Sequence, residues 1–91
     1  MNYTVIYPDA MIDELTRQYV LAYAAGFGTA FTEAIHRIDT RLADDPLEDT
    51  ESRAGNLRVA IESPIAVYFR IESGAPRVTI LGIRFTRPRA R

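Results

Sequence analysis

Three short runs with the pattern of β-strands constrain the fold of this chain more than any other feature. They span Asn56–Ser63, Ile65–Ser73 and Arg77–Phe85, and Pro64 and the turn residues 73–76 separate them. In the first two runs apolar and polar residues alternate, which predicts an antiparallel sheet with one dry and one wet face. The dry positions are Leu57, Val59 and Ile61 in the first run and Ile65, Val67, Phe69 and Ile71 in the second.

The third run is apolar on both of its predicted faces. Val78 and Ile80 share one face, and three large side chains alternate onto the other. A strand of this kind is usually central in its sheet, or something covers its second face. We therefore expect an apolar patch that binds a partner protein, unless the C-terminal tail or a second copy of the chain covers it. The patch consists of Tyr68, Leu81, Ile83 and Phe85.

The beginning of the chain predicts a strand followed by a helix. Tyr3–Tyr7 has the alternation of a short strand. Pro8 and Asp9 are typical of a helix start, and Gly26 is typical of a helix end. The predicted apolar stripe of this helix is Ile12, Leu15, Tyr19 and Tyr23.

A second helix follows after a very short turn. We predict Thr29 as its N-cap. The helix should end near Ala43 or Asp44, because the following residue precedes Pro46 and is disfavoured in a helix. The turn at 26–28 makes the two helices an antiparallel hairpin. The predicted stripe of the second helix is Phe31, Ile35, Ile38 and Leu42.

The predicted element order is strand, helix, helix, strand, strand, strand, which is an α+β fold. A helical hairpin packed on one face of a mostly antiparallel sheet would bury both helical stripes. The 91 residues are expected to form a single domain, residues 1–91. Within it we predict a hairpin at about 9–44, an acidic loop at 47–55, a three-strand meander at about 56–86 and a basic tail at 87–91.

The residue types present exclude several kinds of site. The chain has no cysteine and a single histidine, His36, so it offers no disulfide, no thiol nucleophile and no set of three or four metal ligands. We therefore predict no metal and no cofactor. The net charge of −1 does not indicate a nucleic-acid partner. Without a signal sequence or an apolar run of about 18 residues, the expectation is a cytoplasmic protein without membrane contact.

Arginine supplies all eleven basic side chains. Two of them flank Tyr68 on the predicted wet face of the meander, and Arg84, Arg87 and Arg89 follow at the end of the last strand. Such a group can hold a phosphate and stack a base against the ring. Alternatively, the two strand arginines pair across strands with Glu62 and Glu72 and keep an exposed face soluble. The four candidate catalytic residues are Arg58, Arg70, Arg84 and Arg87.

The layout of strand, helical hairpin, Asp-Pro exit and three-strand meander resembles the RelE/ParE toxins of type II toxin–antitoxin systems, the plasmid stabilisation protein family. Soft apolar patterns carry the likeness over nearly the whole chain, in Tyr3–Ala10, Ile35–Pro46, Asn56–Val59, Ala66–Ile71 and Arg77–Ile83. The resemblance implies that the first strand lies beside the last. It also implies a cognate antitoxin that wraps the toxin with an extended segment and a helix, which would explain an uncovered apolar face.

Members of this family differ in their target. One branch cuts messenger RNA on the ribosome, using basic residues and often a C-terminal tyrosine. Arg58 matches a basic position of that branch, whereas Ile65 or Ala66 stands about where it has an arginine. No tyrosine or histidine accompanies Arg84 and Arg87, and an arginine stays charged and is a poor general base.

The resemblance therefore implies a ParE-like toxin that acts by binding DNA gyrase and needs no active site. The first alternative is a ribosome-dependent mRNA endoribonuclease of RelE type, in which the candidate arginines grip the phosphate. The second alternative is a non-toxic interaction module of the same fold. The apolar patch is the predicted contact for the antitoxin, and a homodimer is a further alternative for that surface.

Overall fold

The computed structural model describes residues 2–72, 74 and 76–88, and it has the predicted α+β architecture. Its elements are β1 (Thr4–Ile6), α1 (Asp9–Ala24), α2 (Gly28–Asp44), β2 (Thr50–Ser52), β3 (Leu57–Glu62), β4 (Ile65–Glu72) and β5 (Arg77–Phe85). The strands form a sheet in the order β1-β5-β4-β3-β2, and the two helices pack on one of its faces. Neighbouring strands are antiparallel except β1 and β5, which are parallel. The two strands are adjacent, as the resemblance implied.

β5 lies inside the sheet, between β4 and the short β1. β1 pairs only with Arg77–Thr79, the first part of β5. α1 packs against β5, and the Phe85 N–H donates a hydrogen bond of 2.8 Å to Gln18 Oε1. The helix thus supplies a partner for a backbone group at an edge of the sheet that β1 does not reach.

The turn between the helices places a large side chain where we predicted a polar cap. α2 begins at Gly28 without a side-chain cap, so the predicted N-cap Thr29 is wrong. Phe27 precedes the helix, and its ring packs against Phe85 with centroids 6.0 Å apart. This packing draws the turn toward the core and starts the helix early. A Cβ at Gly28 would lie 3.2 Å from Tyr23, so the turn has little room for a larger residue there.

The predicted acidic loop at 47–55 contains a short strand, β2, that the sequence pattern did not indicate. It pairs antiparallel with residues 58–60 of β3. The Thr50 hydroxyl donates to the Pro46 carbonyl oxygen at 2.8 Å and anchors the start of the strand. A short edge strand is held by backbone hydrogen bonds, so polar side chains suffice and no apolar alternation marks it.

The core lies between the helices and the sheet. α2 contributes its predicted stripe, with Phe31, Ile38 and Leu42 buried and Ile35 partly buried. The predicted stripe of α1 is largely wrong, because only Leu15 of its four residues is partly buried against this core, and Tyr19 touches the core residue Phe31 from an exposed position. α1 lies at the edge of β5 and presents a narrow inner face. The residues of that face are Met11, Leu15 and Ala22, whereas Ile12, Tyr19 and Tyr23 are exposed.

A β-bulge in β5 changes which residues face the core. Tyr68 of β4 pairs with Gly82, and the pairing then skips Leu81, which is an extra residue on β5. Beyond the bulge Ile83 lies on the helix side of the sheet and is only 5% exposed, whereas Leu81 is 40% exposed. The prediction that Ile83 and Phe85 lie on the bare face is therefore wrong, because the extra residue reverses the alternation.

β3 also presents the face opposite to the predicted one. Ala60 pairs with Val67 inside the core, and directly paired residues share a face of the sheet. The three residues predicted as dry, Leu57, Val59 and Ile61, therefore point away from the helices. The predicted face of this strand is wrong, although Val59 is buried as predicted, with 1% exposed. The corresponding prediction for β4 is confirmed.

Polar contacts on the helix side account for this orientation of β3. Glu62 accepts a hydrogen bond of 3.0 Å from Arg37 Nε, and Arg41 also binds this carboxylate. At the other end of the strand, Arg58 Nε donates to Thr50 Oγ1 at 3.0 Å. Both charged side chains have their partners on this side of the sheet, and Val59 and Ile61, which alternate with them, point outward.

Candidate interaction site

The face of the sheet turned away from the helices, called the outer face below, has an apolar centre. Ile61 is 54% exposed, and Leu81 is exposed beside it. The Tyr68 ring lies close to Gly82, where an added Cβ would be 3.5 Å from the ring. The apolar side chains of the outer face are Leu57, Val59, Ile61, Ala66, Tyr68 and Leu81, of which Val59 is only 1% exposed and adds no free surface.

Positive charge flanks this apolar centre. At one end Glu72 pairs with both Arg70, at 3.3 Å, and Arg77, at 2.9 Å, which leaves one net positive charge. At the other end Arg84 pairs with Ala66 in the sheet and is exposed. Within the described part of the chain Arg84 forms no salt bridge. The outer face therefore suits an acidic partner surface.

The four candidate catalytic arginines do not meet at one point. Arg58 lies on the helix side of the sheet, away from Tyr68, and its Nη2 donates to the Thr50 carbonyl oxygen at 3.0 Å. The prediction that Arg58 flanks Tyr68 is wrong, because β3 turns its other face outward. The sheet does bring Arg70 and Arg84 onto the outer face together with Tyr68.

The remaining charged candidates are also separated. Arg87 follows the end of β5 and is exposed. Arg70 pairs with Glu72 on its own strand rather than across strands. Glu62 binds the arginines of α2, so it is not the partner of Arg58.

A cleft of about 540 Å³ separates α1 from the end of β5. Gln18 and Leu21 line it from the helix, and Tyr68 and Arg84 line it from the sheet. It joins the outer face to the exposed side of α1, so a single partner segment could reach both surfaces.

The exposed side of α1 forms a second apolar surface. Tyr23 is 70% exposed, and Tyr19 packs edge-on against Phe31 with ring centroids 5.8 Å apart. A groove of about 330 Å³ runs between the helices here, lined in part by Leu15 and Ile35. Sequence reasoning missed this surface. The sequence signal for it was that apolar residues occupy more than one side of α1, whereas a helix at the edge of a sheet buries only one side. The exposed apolar residues of α1 are Ile12, Tyr19, Val20, Leu21 and Tyr23.

A half-buried polar pair joins the end of β1 to α2. The Tyr7 hydroxyl donates a hydrogen bond of 2.5 Å to Asp39 Oδ1. Burial raises the pKa of Asp39 above its usual range, although the Tyr7 hydrogen bond and the nearby His36 oppose this shift. Burial, and then the contact with Asp39, also raises the pKa of the Tyr7 hydroxyl. The pair ties the strand to the helix, and its contribution to stability depends on pH.

The described residues contain no recognisable metal site. His36 is exposed on α2. Among residues 2–72, 74 and 76–88, no three His, Cys, Asp or Glu side chains are placed to share a metal ion. In the same residues, no helix has the length and apolar character needed to cross a membrane.

Comparison with known proteins rests on structure, because sequence comparison finds no relative. No protein-family model matches the chain. No curated protein matches it either. The structure is similar to a chain of the toxin–antitoxin complex RelBE2 from Mycobacterium tuberculosis, with a TM-score of 0.64 and 19% sequence identity, over 93% of this chain and 99% of that chain. The chain therefore has the fold of a component of the RelBE2 toxin–antitoxin complex.

Proposed function

We propose that this chain is the toxin component of a type II toxin–antitoxin module, that a cognate antitoxin neutralises it, and that it acts by binding DNA gyrase. Support for the module comes from the fold, which matches a component of a toxin–antitoxin complex over nearly the whole chain. Support for action by binding comes from the arrangement of the arginines.

The position of Arg58 is the observation that carries this choice. Its guanidinium makes two hydrogen bonds to Thr50 on the helix side of the sheet. It therefore cannot act at one point with Arg70 and Arg84 on the outer face unless β3 rearranges. No histidine or lysine stands on the outer face to move a proton, and arginine remains charged at neutral pH.

The antitoxin is proposed to contact two exposed apolar surfaces. The stripe of α1 around Tyr23 and the groove beside it have the shape that accepts an amphipathic helix. Tyr68 and Leu81 on the outer face would take an extended segment. Ile83 and Phe85 lie on the core side of β5, so they would support this surface from beneath.

Expression of the chain from a tightly controlled promoter, without its genomic neighbours, tests the proposal. We expect filamentous cells in which DNA synthesis stops before bulk translation falls. Purified chain should then inhibit DNA supercoiling by gyrase. Co-expression of a small neighbouring open reading frame should restore growth. An early fall in translation would contradict action on gyrase, and normal growth at verified expression would leave a non-toxic interaction module.

A second candidate function, ribosome-dependent cleavage of mRNA, is favoured by one observation. Tyr68, Arg70 and Arg84 share the outer face, where a ring and two guanidinium groups could hold RNA. If this function is correct, Arg70→Ala combined with Arg84→Ala should abolish toxicity while antitoxin binding persists. Arg37→Ala is the matched control, because Arg37 is exposed on α2, on the other side of the sheet.

A further inference from the structure

The outer face carries large apolar side chains that the described chain leaves exposed, chiefly Ile61 and Leu81. Its residues form straight rows across the strands. One row runs from Arg84 through Ala66 to Ile61, and the next runs from Gly82 through Tyr68 to Val59 and then Glu51. The size and charge of the side chains in these rows determine which surface can pack on the outer face.

We propose that the outer face joins two copies of this chain in a two-fold symmetric dimer. The axis lies parallel to the strands, between β3 and β4. Rotation by 180° about this axis places β4 of one copy on β3 of the other and β5 on β2. The two sheets would pack face to face at about 10 Å, as in a β-sandwich. The proposal does not depend on whether the chain is toxic.

Complementary side-chain size supports this arrangement. Ile61 and Ala66 are cross-strand partners, so the rotation lays Ile61 of one copy on Ala66 of the second copy. A large side chain therefore meets a small one, and the symmetry makes the contact twice.

Charge complementarity also supports it. Arg84 lies on β5, and Glu51 lies on the outer face at β2, with the exposed Asp49 just before that strand. The rotation places Arg84 of each copy over this acidic edge of the other. Arg84 lies in the row of Ile61 and Glu51 lies in the row of Val59, so the two are offset by two residues, or about 7 Å, along the strand direction. An arginine side chain can span this distance. The exposed salt bridge between Glu51 and Arg53 of the same copy competes only weakly with this contact.

The charges also argue against the other face-to-face arrangement. A two-fold axis perpendicular to the strands would place β5 on β5 and bring Arg84 of one copy toward Arg77 of the other. Like charges would then meet at both ends of the interface. The acidic residue nearest to Arg84 in that arrangement is Glu72, which already pairs with both Arg70 and Arg77. With the axis parallel to the strands, Arg84 faces Asp49 and Glu51 instead.

The size of the face predicts a weak dimer. The rotation pairs four strands, β2 to β5; at about 4.8 Å per strand and seven residues at about 3.3 Å, they give a face of roughly 450 Å², or roughly 900 Å² for both copies. This is at the lower limit for a specific interface, so we expect a dissociation constant on the order of 10 µM. The Arg84 contact should make dimerisation weaker at high salt.

Sedimentation velocity over a concentration range that brackets this value tests the proposal. Wild type should pass from monomer to dimer, and Ile61→Arg should remain monomeric. Tyr23→Arg is the matched control, since Tyr23 is a large exposed side chain on α1, away from the outer face, and this variant should dimerise like wild type. Circular dichroism would verify that each variant is folded.

Charge reversal tests the orientation of the two copies. Arg84→Glu and Glu51→Arg should each weaken the dimer about tenfold or more, and the double variant should recover most of the loss. A wild-type chain that stays monomeric throughout the range would overturn the proposal. So would a dimer that survives Ile61→Arg and is lost on Tyr23→Arg. An antitoxin segment bound to Tyr68 and Leu81 would displace the second copy. A sample of the purified chain contains no antitoxin, so the measurement reports on the dimer alone.

Discussion

Asp39 shows, at the scale of one residue, how burial changes the behaviour of an ordinary acid. Burial raises its pKa in the folded chain because it disfavours the charged form. The folded state therefore keeps this proton to a higher pH than the unfolded state does. The stability contributed by the group is fully present below the unfolded carboxyl pKa of about 3.9 and is lost as the pH rises through the folded pKa.

We predict that Asp39→Asn gains stability relative to wild type as the pH rises from about 4 to about 7. The amide oxygen can still accept the Tyr7 hydrogen bond, but it carries no charge to desolvate. Urea unfolding at several pH values would measure the difference in the free energy of unfolding. A difference independent of pH would contradict the raised pKa of Asp39. Tyr7→Phe should instead lose stability relative to wild type as the pH rises, because it removes the hydrogen-bond donor that favours the charged Asp39 carboxylate.

At the scale of elements, β5 owes its role in the core to one extra residue. The bulge at Leu81 restores Ile83 to the helix side, where Val78 and Ile80 already lie. If Leu81 were paired in a regular ladder instead of standing in a bulge, the strand would be apolar on both faces, as its sequence alone suggests. The half-buried Phe85 would then also lose its position beside Phe27.

Deletion of Leu81 should therefore leave the buried face of β5 unchanged. Leu81 is the extra residue of the bulge, so without it Gly82 would follow Ile80 directly and Ile83 would stay paired with Val67. Leu81→Ala keeps the bulge and removes a partly exposed side chain, and each variant should cost about 1 kcal/mol or less. Urea unfolding would compare both variants with wild type. A loss of about 3 kcal/mol or more on deletion alone, the size expected when buried side chains are exposed, would contradict the bulge at Leu81.

At the scale of the whole molecule, α1 packs at the side of the sheet rather than over its centre. Its inner face is narrow, and the apolar residues on its other sides remain exposed. Such a helix contributes surface for a partner as much as it contributes to the core. The arrangement separates residues that stabilise the monomer from residues free to bind.

This separation predicts that an arginine introduced into α1 changes the free energy of unfolding little on the exposed sides and strongly on the inner face. Ile12→Arg and Tyr23→Arg should change the free energy of unfolding by only about 0.5 kcal/mol, because both side chains already meet solvent. Ala22→Arg on the inner face should cost about 3 kcal/mol or more, since that site is fully buried. Thermal and urea unfolding would measure these changes. A large loss with Tyr23→Arg would place that residue in the core.

Local patterns were sufficient to predict the elements but not the site. The bounds of α1, of β5 and of the end of α2 depend on turn residues and periodicity, which act within a few positions. The predicted arginine site failed at Arg58, because its direction depends on Thr50, in a strand with no sequence signal. Half of the predicted apolar patch, Tyr68 and Leu81, lies on the exposed face.

The sequence by itself determined that this chain is an α+β protein with a helical hairpin and a three-strand meander. Alternation, helical spacing and the positions of proline and glycine are local constraints, so they predict the elements without any information about tertiary contacts. Only the tertiary structure decided which face of each strand is buried. That choice depends on cross-strand register, on the extra residue Leu81, and on the contact of Glu62 with the arginines of α2. Each of these joins residues far apart in the chain, and a shift of one position in pairing exchanges the two faces.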